Sequence, residues 1–202
     1  MSTAREKIFD GIRAALAPLP QRALRPEVPR GVADAQWLAD EADTVALFLK
    51  RARSVGTACF TSPGELATWL GGQALVKIFV PPGFDDLAAV VAGAGAVTRE
   101  YRRDQVDEID VALTPAVGGI AESGTIILAD ESTPDRLAAL APWTHVALLR
   151  SETIHRSIGD ALAALPGDPN IIWVTGPSKT ADVEGILIQG VHGPGVQACL
   201  IC

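Results

Sequence analysis

Two clusters of polar residues and glycines occur in the last third of the chain, each after an apolar run. The first is Gly176-Pro177-Ser178-Lys179-Thr180, with Asp182 and Glu184 close behind. The second is Gly190-Val191-His192-Gly193-Pro194. Hydroxyl, ammonium and free backbone N–H groups bind anions, and a histidine can exchange a proton near neutral pH. Together these residue types predict an anion site with a proton-handling group beside it.

The first cluster follows a predicted strand over residues 171–175, and a short helix is predicted from Ser178. Ligands of open α/β sheets bind beyond the carboxyl ends of strands, and the free N–H groups of a helix N-terminus favour an anion. A phosphate or a carboxylate is therefore the expected guest, with Lys179 adding a positive charge. In the alternative interpretation, Ser178 and Thr180 only cap the helix, while Asp182 and Glu184 complement its dipole.

Ala121-Glu122-Ser123-Gly124-Thr125 fills a short gap between two apolar strands. Glu122 is a candidate general base or nucleophile there. Alternatively, Gly124 serves a tight turn and Glu122 faces solvent. His192, set among glycines, is a candidate acid, base or ligand-binding group, although a single histidine is more often structural.

No cofactor or metal site is predicted. The chain contains neither GxxxxGK[ST] nor GxGxxG, so the P-loop and the dinucleotide-binding fingerprint are absent. His145 and His155 lie on different predicted elements, which does not match metal-ligand spacing. Cys199 and Cys202 form CxxC, but residues three apart in a strand point to opposite faces. An iron–sulfur cluster takes about four ligands, and the chain has three cysteines.

Composition indicates a globular protein of 202 residues, 48% hydrophobic, with a net charge of −7. Residues 1–30 carry six Arg/Lys and three Asp/Glu, a charge of +3, which leaves −10 for the rest. An acidic body argues against nucleic acid as the main ligand. The few cysteines, the lack of an N-terminal apolar core and the lack of a long apolar stretch predict a cytoplasmic protein without a transmembrane segment.

Apolar runs alternating with helical patterns predict an α/β fold, with a mainly parallel sheet covered by helices on both faces in three layers. Strands are expected at 57–60, 74–80, 109–113, 116–120, 126–128, 146–149, 171–175, 186–191 and 196–201. Helices are expected at 3–16, 34–53, 63–70, 84–91, 133–140 and 154–165. The last two strands, joined by Gly193-Pro194-Gly195, are predicted to pair as an antiparallel hairpin.

The first helix has an apolar stripe and a plausible cap at Ser2 or Thr3. Prolines make residues 17–31 a stiff linker, so residues 1–31 form a predicted N-terminal arm before a domain at 32–202. The arm is either a solvent-exposed helix or a segment that docks on the chain's own acidic surface or on a partner.

The three clusters resemble the motifs of the LUD-domain family, whose usual form is close to A-E/D-T/S-G-T, then GPSxTADIE and GVHGP. This chain has AESGT, GPSKTADVE and GVHGP, with Val183 where isoleucine is usual. Lys179 stands at a position where the family varies. The resemblance covers essentially the whole chain, and the best-known members of the family are the C subunits of bacterial lactate utilisation.

The resemblance implies a fold similar to the CoA-transferase, ribose-phosphate isomerase and glucosamine-phosphate isomerase superfamily. It also implies a part in oxidising L-lactate to pyruvate with iron–sulfur partner subunits. Glu122 or His192 would handle protons, and the three clusters would meet at one cleft. The other residues expected to bind the ligand are Ser123, Gly124, Thr125, Gly176, Pro177, Ser178, Lys179, Thr180, Asp182, Glu184 and Gly193. Two alternatives are a stand-alone enzyme acting on a sugar phosphate or acyl-CoA, and a non-catalytic interaction subunit.

Overall fold

The computed structural model describes most of the chain in two units. The described residues are 3–18, 42–73, 77–129, 136–165, 170–181 and 184–202. Internal contacts divide the chain into residues 1–33 and 34–202. Within the described ranges, no helix has the length and apolar composition needed to cross a bilayer.

The first unit contains the helix α1 (Ala4–Leu16). The Thr3 hydroxyl accepts a hydrogen bond from the Glu6 N–H at 3.3 Å, and the Thr3 N–H donates to the Glu6 carboxylate at 2.6 Å. This reciprocal pair satisfies backbone donors that a helix end leaves unpaired. The predicted helix and its cap at Thr3 are confirmed. Residues 19–31 of the predicted linker lie outside the described part of the chain.

The second unit is built around six parallel strands. They are β1 (Ala58–Phe60), β2 (Lys77–Phe79), β3 (Ala96–Thr98), β4 (Val111–Pro115), β7 (Thr144–Leu149) and β12 (Val196–Ile201). Their order across the sheet is β1-β12-β7-β4-β2-β3, and every neighbouring pair is parallel. The prediction of an α/β fold with a mainly parallel sheet is confirmed.

The described part of the second unit contains four α-helices. They are α2 (Thr44–Ser54), α3 (Pro63–Gly71), α4 (Asp85–Val91) and α5 (Ile158–Ala164). The Asp43 carboxylate caps α2 by accepting from two backbone N–H groups, and the Ser62 hydroxyl caps α3. Pro63 occupies the first turn of α3 as predicted, where its missing N–H costs no hydrogen bond.

The two faces of the central sheet are covered differently. On one face, Val146 and Leu148 of β7 pack with Leu66 of α3 and with α4. On the other face, Leu149 of β7 packs with Phe48 of α2. Because side chains alternate along a strand, one apolar run of β7 supplies both cores.

A second, four-stranded sheet shares the α2 face. Its strands are β5 (Gly118–Ile120), β6 (Thr125–Ala129), β8 (Ile154–His155) and β9 (Ile171–Val174), in the order β8-β5-β6-β9. Ile126 and Leu128 of β6 enter the same core as Phe48 and Leu149. Ala161 of α5 packs on the opposite face of this sheet, against Ile127 and its neighbours. The second sheet is thus sandwiched between the central sheet and α5.

Two predictions about the last third of the chain are wrong. The segment after Ser178 is not a helix but the strand β10 (Lys179–Ala181), which pairs antiparallel with β11 (Leu187–Gln189). Consequently β11 does not form a hairpin with β12, which lies between β1 and β7 in the central sheet. The glycine-rich segment 190–195 instead carries the chain from the β10–β11 hairpin to the central sheet.

Three predicted helices also need correction. The helix expected from Asp34 begins at Thr44, after a non-helical Asp43, and residues 34–41 lie outside the described part. Residues 136–140 of the helix expected at 133–140 form turns, and 130–135 are not described. The helix expected from Ile154 begins at Ile158, because Ile154 and His155 pair with β5.

Candidate functional site

A cleft of about 330 Å³ lies where the segment after β9 meets the segment before β12. We call it the motif cleft. Among the residues that line it are Thr175, Ser178, Lys179, His192, Gly193 and Gln197. Two clusters that lie apart in the sequence therefore share one cavity, at the amino end of β12 and the carboxyl end of β9.

Ser178 holds the two clusters together through three hydrogen bonds. Its N–H donates to the Pro194 carbonyl at 2.9 Å, and its own carbonyl accepts from the Gly190 N–H at 3.0 Å. Its hydroxyl accepts from the His192 N–H at 3.3 Å. These bonds replace the helix expected at Ser178, so an anion here would meet individual side-chain donors rather than a helix dipole.

The floor of the first cluster rests on the end of α2. Gly176 has a φ of +76°, and a Cβ at this position would overlap the Val55 carbonyl oxygen. A Cβ at Gly56 would touch the Pro177 ring at 3.4 Å. The Gly176-Pro177 turn therefore depends on glycine, both for its left-handed backbone and for its close approach to α2.

A row of three hydroxyls joins the upstream cluster to the cleft. The oxygens of Ser123 and Thr125 lie 2.6 Å apart, and those of Thr125 and Thr175 lie 2.7 Å apart. Thr175 lines the cleft. Of the expected upstream ligand residues, Ser123 and Thr125 are thus connected to the cleft through Thr175.

Gly124 has a packing role in this arrangement. Its φ is +69°, and a Cβ there would lie 2.6 Å from the Cα of Ala52 in α2. The tight turn suggested as an alternative for Gly124 is present, and it presses directly on the helix backbone. Gly124 and Gly176 seat their two turns on α2, within a few residues of each other along the helix.

Glu122 faces a different neighbour. Its carboxylate accepts a hydrogen bond from the Ile158 N–H at 3.0 Å, at the first turn of α5, and its N–H donates to the Arg156 carbonyl at 3.1 Å. Glu122 is half-buried and is not among the residues that line the motif cleft. Its observed contact is that of a carboxylate satisfying a helix N-terminus.

His192 and Lys179 are exposed on the wall of the motif cleft. Within the described residues, neither side chain has a hydrogen bond or an ion pair with protein, so both are available to a ligand. Thr180 lies in β10 opposite Ile188. Glu184 is exposed beside the β10–β11 turn, and Asp182 lies outside the described residues.

Trp143 supports the second cluster from outside. A Cβ at Gly190, whose φ is +77°, or at Gly195 would overlap the Trp143 ring. The indole thus packs closely against two glycines that bracket His192, although Trp143 remains 58% exposed.

Beneath the cleft lies a buried polar row that sequence inspection missed. Hydrogen bonds link Thr114 of β4, His145 of β7 and Gln197 of β12 across three adjacent strands. The Thr114 Oγ1 to His145 Nε2 distance is 2.8 Å, and the His145 Nδ1 to Gln197 Oε1 distance is 3.0 Å. All three side chains are almost fully buried, and Gln197 reaches the cleft.

The bonding pattern of this row defines the histidine tautomer. The Gln197 Nε2 donates to the Ala198 carbonyl at 2.9 Å, so the Gln197 Oε1 faces His145 and accepts from a protonated Nδ1. The Nε2 of His145 then accepts from the Thr114 hydroxyl. Burial favours the neutral ring and lowers the pKa of His145 to about 4, partly opposed by the hydrogen bond to Gln197.

The signal for this row was weak. A histidine and a glutamine, each near the start of an apolar strand, are the only trace in the sequence, and their contact depends on the register that pairs His145 with Gln197. The row holds Gln197 in one orientation at the cleft, since both ends of its amide are engaged. One Gln197 N–H remains without an acceptor among the described residues.

The donors around the motif cleft suit a small anion. The Ser178 hydroxyl, the Gln197 amide and the Lys179 ammonium are donors of the kinds that bind carboxylates and phosphates. The His192 imidazole adds a group that can give or take a proton. Chemically, the cleft can bind an anion and exchange a proton with it.

Comparisons with known proteins agree with this motif assignment. Residues 34–201 match the LUD domain. "Lactate utilization protein C" of Deinococcus radiodurans is 30% identical over 140 residues, 65% of this chain and 64% of that protein. The Bacillus licheniformis protein of the same name is 33% identical over 105 residues, 48% of this chain and 44% of that protein. The alignments thus span less than two thirds of these curated relatives.

A solved structure supports the fold. The crystal structure of a DUF162 family protein from Deinococcus radiodurans aligns with a TM-score of 0.57 at 22% identity, covering 80% of this chain and 98% of that one. At this identity the likeness concerns the fold alone. The match over residues 34–201 establishes membership, and the chain belongs to the LUD domain family.

Proposed function

We propose that this protein is a component of L-lactate utilisation that binds a small anionic ligand in the motif cleft. The observation that carries the proposal is the convergence of Ser178, Lys179, His192 and Gln197 on one cavity. The names of the relatives, "Lactate utilization protein C", identify the anion we favour, L-lactate.

In this proposal the carboxylate of the ligand lies toward Lys179, Ser178 and the Gln197 amide. Lys179 supplies the charge, while Ser178 and Gln197 supply directed hydrogen bonds. Gly176, Pro177 and Gly193 shape the walls. Thr175 adds a hydroxyl to the wall of the cleft, and Thr125 and Ser123 would act on the ligand indirectly, through the hydrogen-bonded row that ends at Thr175.

The proton-handling group is His192 or Glu122. The geometry favours His192, because it lines the cleft and its imidazole is unpaired among the described residues, whereas the Glu122 carboxylate is engaged at α5. Oxidation of lactate to pyruvate releases two protons and two electrons. A base in the cleft would take the hydroxyl proton, the second proton, from C2, would pass to water, and the two electrons would be accepted by iron–sulfur partner subunits in the cytoplasm.

A binding titration with L-lactate tests the site. We expect saturable binding to the wild-type protein, followed by calorimetry, and a loss of about tenfold in affinity for Ser178→Ala or Lys179→Ala, since each removes a donor to a charged group. Lys50→Gln is the matched control, because Lys50 is exposed on α2, is absent from the lining of the cleft, and loses the same charge. Unchanged affinity in both cleft variants would contradict the site.

Growth on L-lactate tests the role. Deleting the gene should abolish growth, and the wild-type gene should restore it. Complementation with His192→Ala should fail, and complementation with Glu122→Gln should succeed, if His192 handles the proton. Normal growth of the deletion strain, without a paralogue, would refute the role in lactate utilisation.

The implied likeness to the CoA-transferase and sugar-phosphate isomerase superfamily is the rival proposal. Titration with CoA esters and sugar phosphates distinguishes the two. Tight binding of a phosphorylated ligand, with none of lactate, would favour a stand-alone enzyme. If no small anion binds and partner subunits still copurify, a non-catalytic interaction subunit is the better account.

A further inference from the structure

Two further cavities open at the carboxyl ends of the central strands. One, of about 390 Å³, is lined by residues that include Phe84, Val117, Leu148, Arg150 and Cys202. The other, of about 260 Å³, shares Phe84, Leu148 and Cys202 with it. They share three lining residues and are therefore direct neighbours, and we call the two together the carboxyl-edge cavity. None of its lining residues lines the motif cleft.

The position of this cavity is where parallel sheets commonly bind ligands. β4 ends at Pro115, β7 at Leu149 and β12 at Ile201, and the residues at or just beyond these ends line the space. At the carboxyl edge, successive loops diverge and leave a crevice. A volume of about 390 Å³ lies within the range of small-molecule sites.

The walls are mostly apolar, with charge at the two ends. Phe84 and Leu148 belong to both cavities, and Leu200 continues the surface. Among the described residues that line the space, Arg150 is the cation, and it lies at the end formed by the larger cavity. Asp85 and Asp86 lie at the opposite end, in the smaller cavity.

The two ends differ in how far their charges are already compensated. Asp85 binds the Arg99 guanidinium at 2.8 Å. Arg150 has only a long contact of 3.5 Å between its Nε and Glu152, and in the described part of the chain its terminal nitrogens have no other partner. An incoming carboxylate therefore meets an available guanidinium at one end and acidic side chains at the other.

We propose that the carboxyl-edge cavity binds a small aliphatic monocarboxylic acid. The carboxylate pairs with Arg150, and the hydrocarbon chain lies along Phe84 and Leu148 toward α4. A second carboxylate at the far end of the ligand would approach Asp86, so a dicarboxylate of the same length is disfavoured. The site is separate from the motif cleft and does not depend on the proposed role in lactate utilisation.

Calorimetric titration of the full chain with hexanoate and with adipate tests this proposal. We expect saturable binding of hexanoate, weaker binding of adipate, and a loss of about tenfold in hexanoate affinity for Arg150→Gln, since a charge-assisted hydrogen bond is removed. Asp86→Asn should reduce the difference in affinity between hexanoate and adipate. Arg150 is 68% exposed, so its replacement should leave the fold intact, which circular dichroism checks.

Two controls make the outcome decisive. Lys50→Gln removes one positive charge outside the cavity and should leave hexanoate binding unchanged. Cys202→Trp adds a bulky ring to the lining that the two cavities share and should block hexanoate binding while the Arg150 side chain is retained. No saturable binding of hexanoate, equal affinity in Arg150→Gln and the wild type, or equal binding of adipate and hexanoate would each overturn the proposal.

Discussion

The motif cleft and the carboxyl-edge cavity lie at opposite ends of the same parallel strands and are built from different materials. The motif cleft is lined by hydroxyl, ammonium, imidazole and amide groups. The carboxyl-edge cavity is lined mainly by apolar side chains, with the Arg150 guanidinium in its larger part and the Asp85 and Asp86 carboxylates in its smaller part. The general rule for open α/β sheets points to the second region, whereas the sequence motifs point to the first.

The second sheet explains this difference. It places the end of β9, and with it Ser178, over the amino end of β12, so the motif residues converge at a carboxyl end that belongs to a different sheet. The motif cleft therefore depends on contacts between the two sheets and α2. The carboxyl-edge cavity is lined by the ends of the central strands, by the segments that follow them and by the first turns of α3 and α4.

The largest expected difference between the regions concerns two glycines in left-handed conformations. Gly124, near the motif cleft, presses on the α2 backbone, whereas a Cβ at Gly83, beside the carboxyl-edge cavity, would meet nothing within 4 Å. Both substitutions to alanine incur the left-handed backbone cost of about 1–2 kcal/mol. In Gly124→Ala the new Cβ would also overlap the α2 backbone, so α2 must move. The total loss in the free energy of unfolding should be about 4 kcal/mol or more.

Urea denaturation of both variants measures this contrast. Gly83→Ala serves as the matched control for the backbone term. Equal losses in the free energy of unfolding would mean that the close approach of Gly124 to α2 adds nothing to the cost of the substitution. The turn near the motif cleft would then tolerate a Cβ as well as the turn at Gly83 does.

The second contrast between the two regions concerns stability at low pH. The buried row beneath the motif cleft contains His145, which makes folding stability depend on pH. In the folded protein the pKa of His145 is about 4, against an ordinary value of 6.5. Between these values the unfolded chain binds more protons, so stability is complete above pH 6.5 and is lost as the pH falls toward 4. The loss amounts to about 3 kcal/mol for this one group.

Unfolding free energies of the wild type and His145→Gln between pH 7 and pH 4 isolate this contribution. The variant should start less stable and lose less on acidification. If the variant does not fold, the NMR titration of the His145 ring in the wild type provides the same answer, with a midpoint near 4 expected and one near 6.5 contradicting the buried row.

Much of the fold was accessible from local patterns, because the strongest signals were local. The apolar runs that became β7 and β12 and the cap at Thr3 each act within a few residues. The β10–β11 pairing was not accessible, since Lys179 meets Gln189 through tertiary context that overrides the local helix signal after Ser178. The contact of His145 with Gln197 likewise depends on strand order, which neither residue's neighbours encode.

Among the motif residues, too, the type of residue could be recognised from the sequence, whereas its contacts depend on the tertiary structure. Ser178 and His192 were recognised by type and spacing, and the structure brings them together. Glu122 was recognised by type as well, yet its carboxylate is used at the start of α5, a helix whose beginning the sequence placed four residues too early. The sequence therefore identified the residue but not its contact with the first turn of α5.

The smallest expected effect is a difference in amide hydrogen exchange between His192 at the motif cleft and Cys202 at the carboxyl-edge cavity. Ser178→Ala removes the hydroxyl that accepts the His192 N–H, a bond worth about 1 kcal/mol. The amide of His192 should then exchange with solvent about fivefold faster in hydrogen-exchange NMR, because local opening costs that much less. The Cys202 amide, which donates to the Leu149 carbonyl at 3.0 Å beside the carboxyl-edge cavity, is the internal reference and should keep its rate. Equal acceleration at both amides would mean that Ser178 stabilises the whole unit, and no change at His192 would mean that the Pro194 and Gly190 bonds hold the second cluster without the hydroxyl.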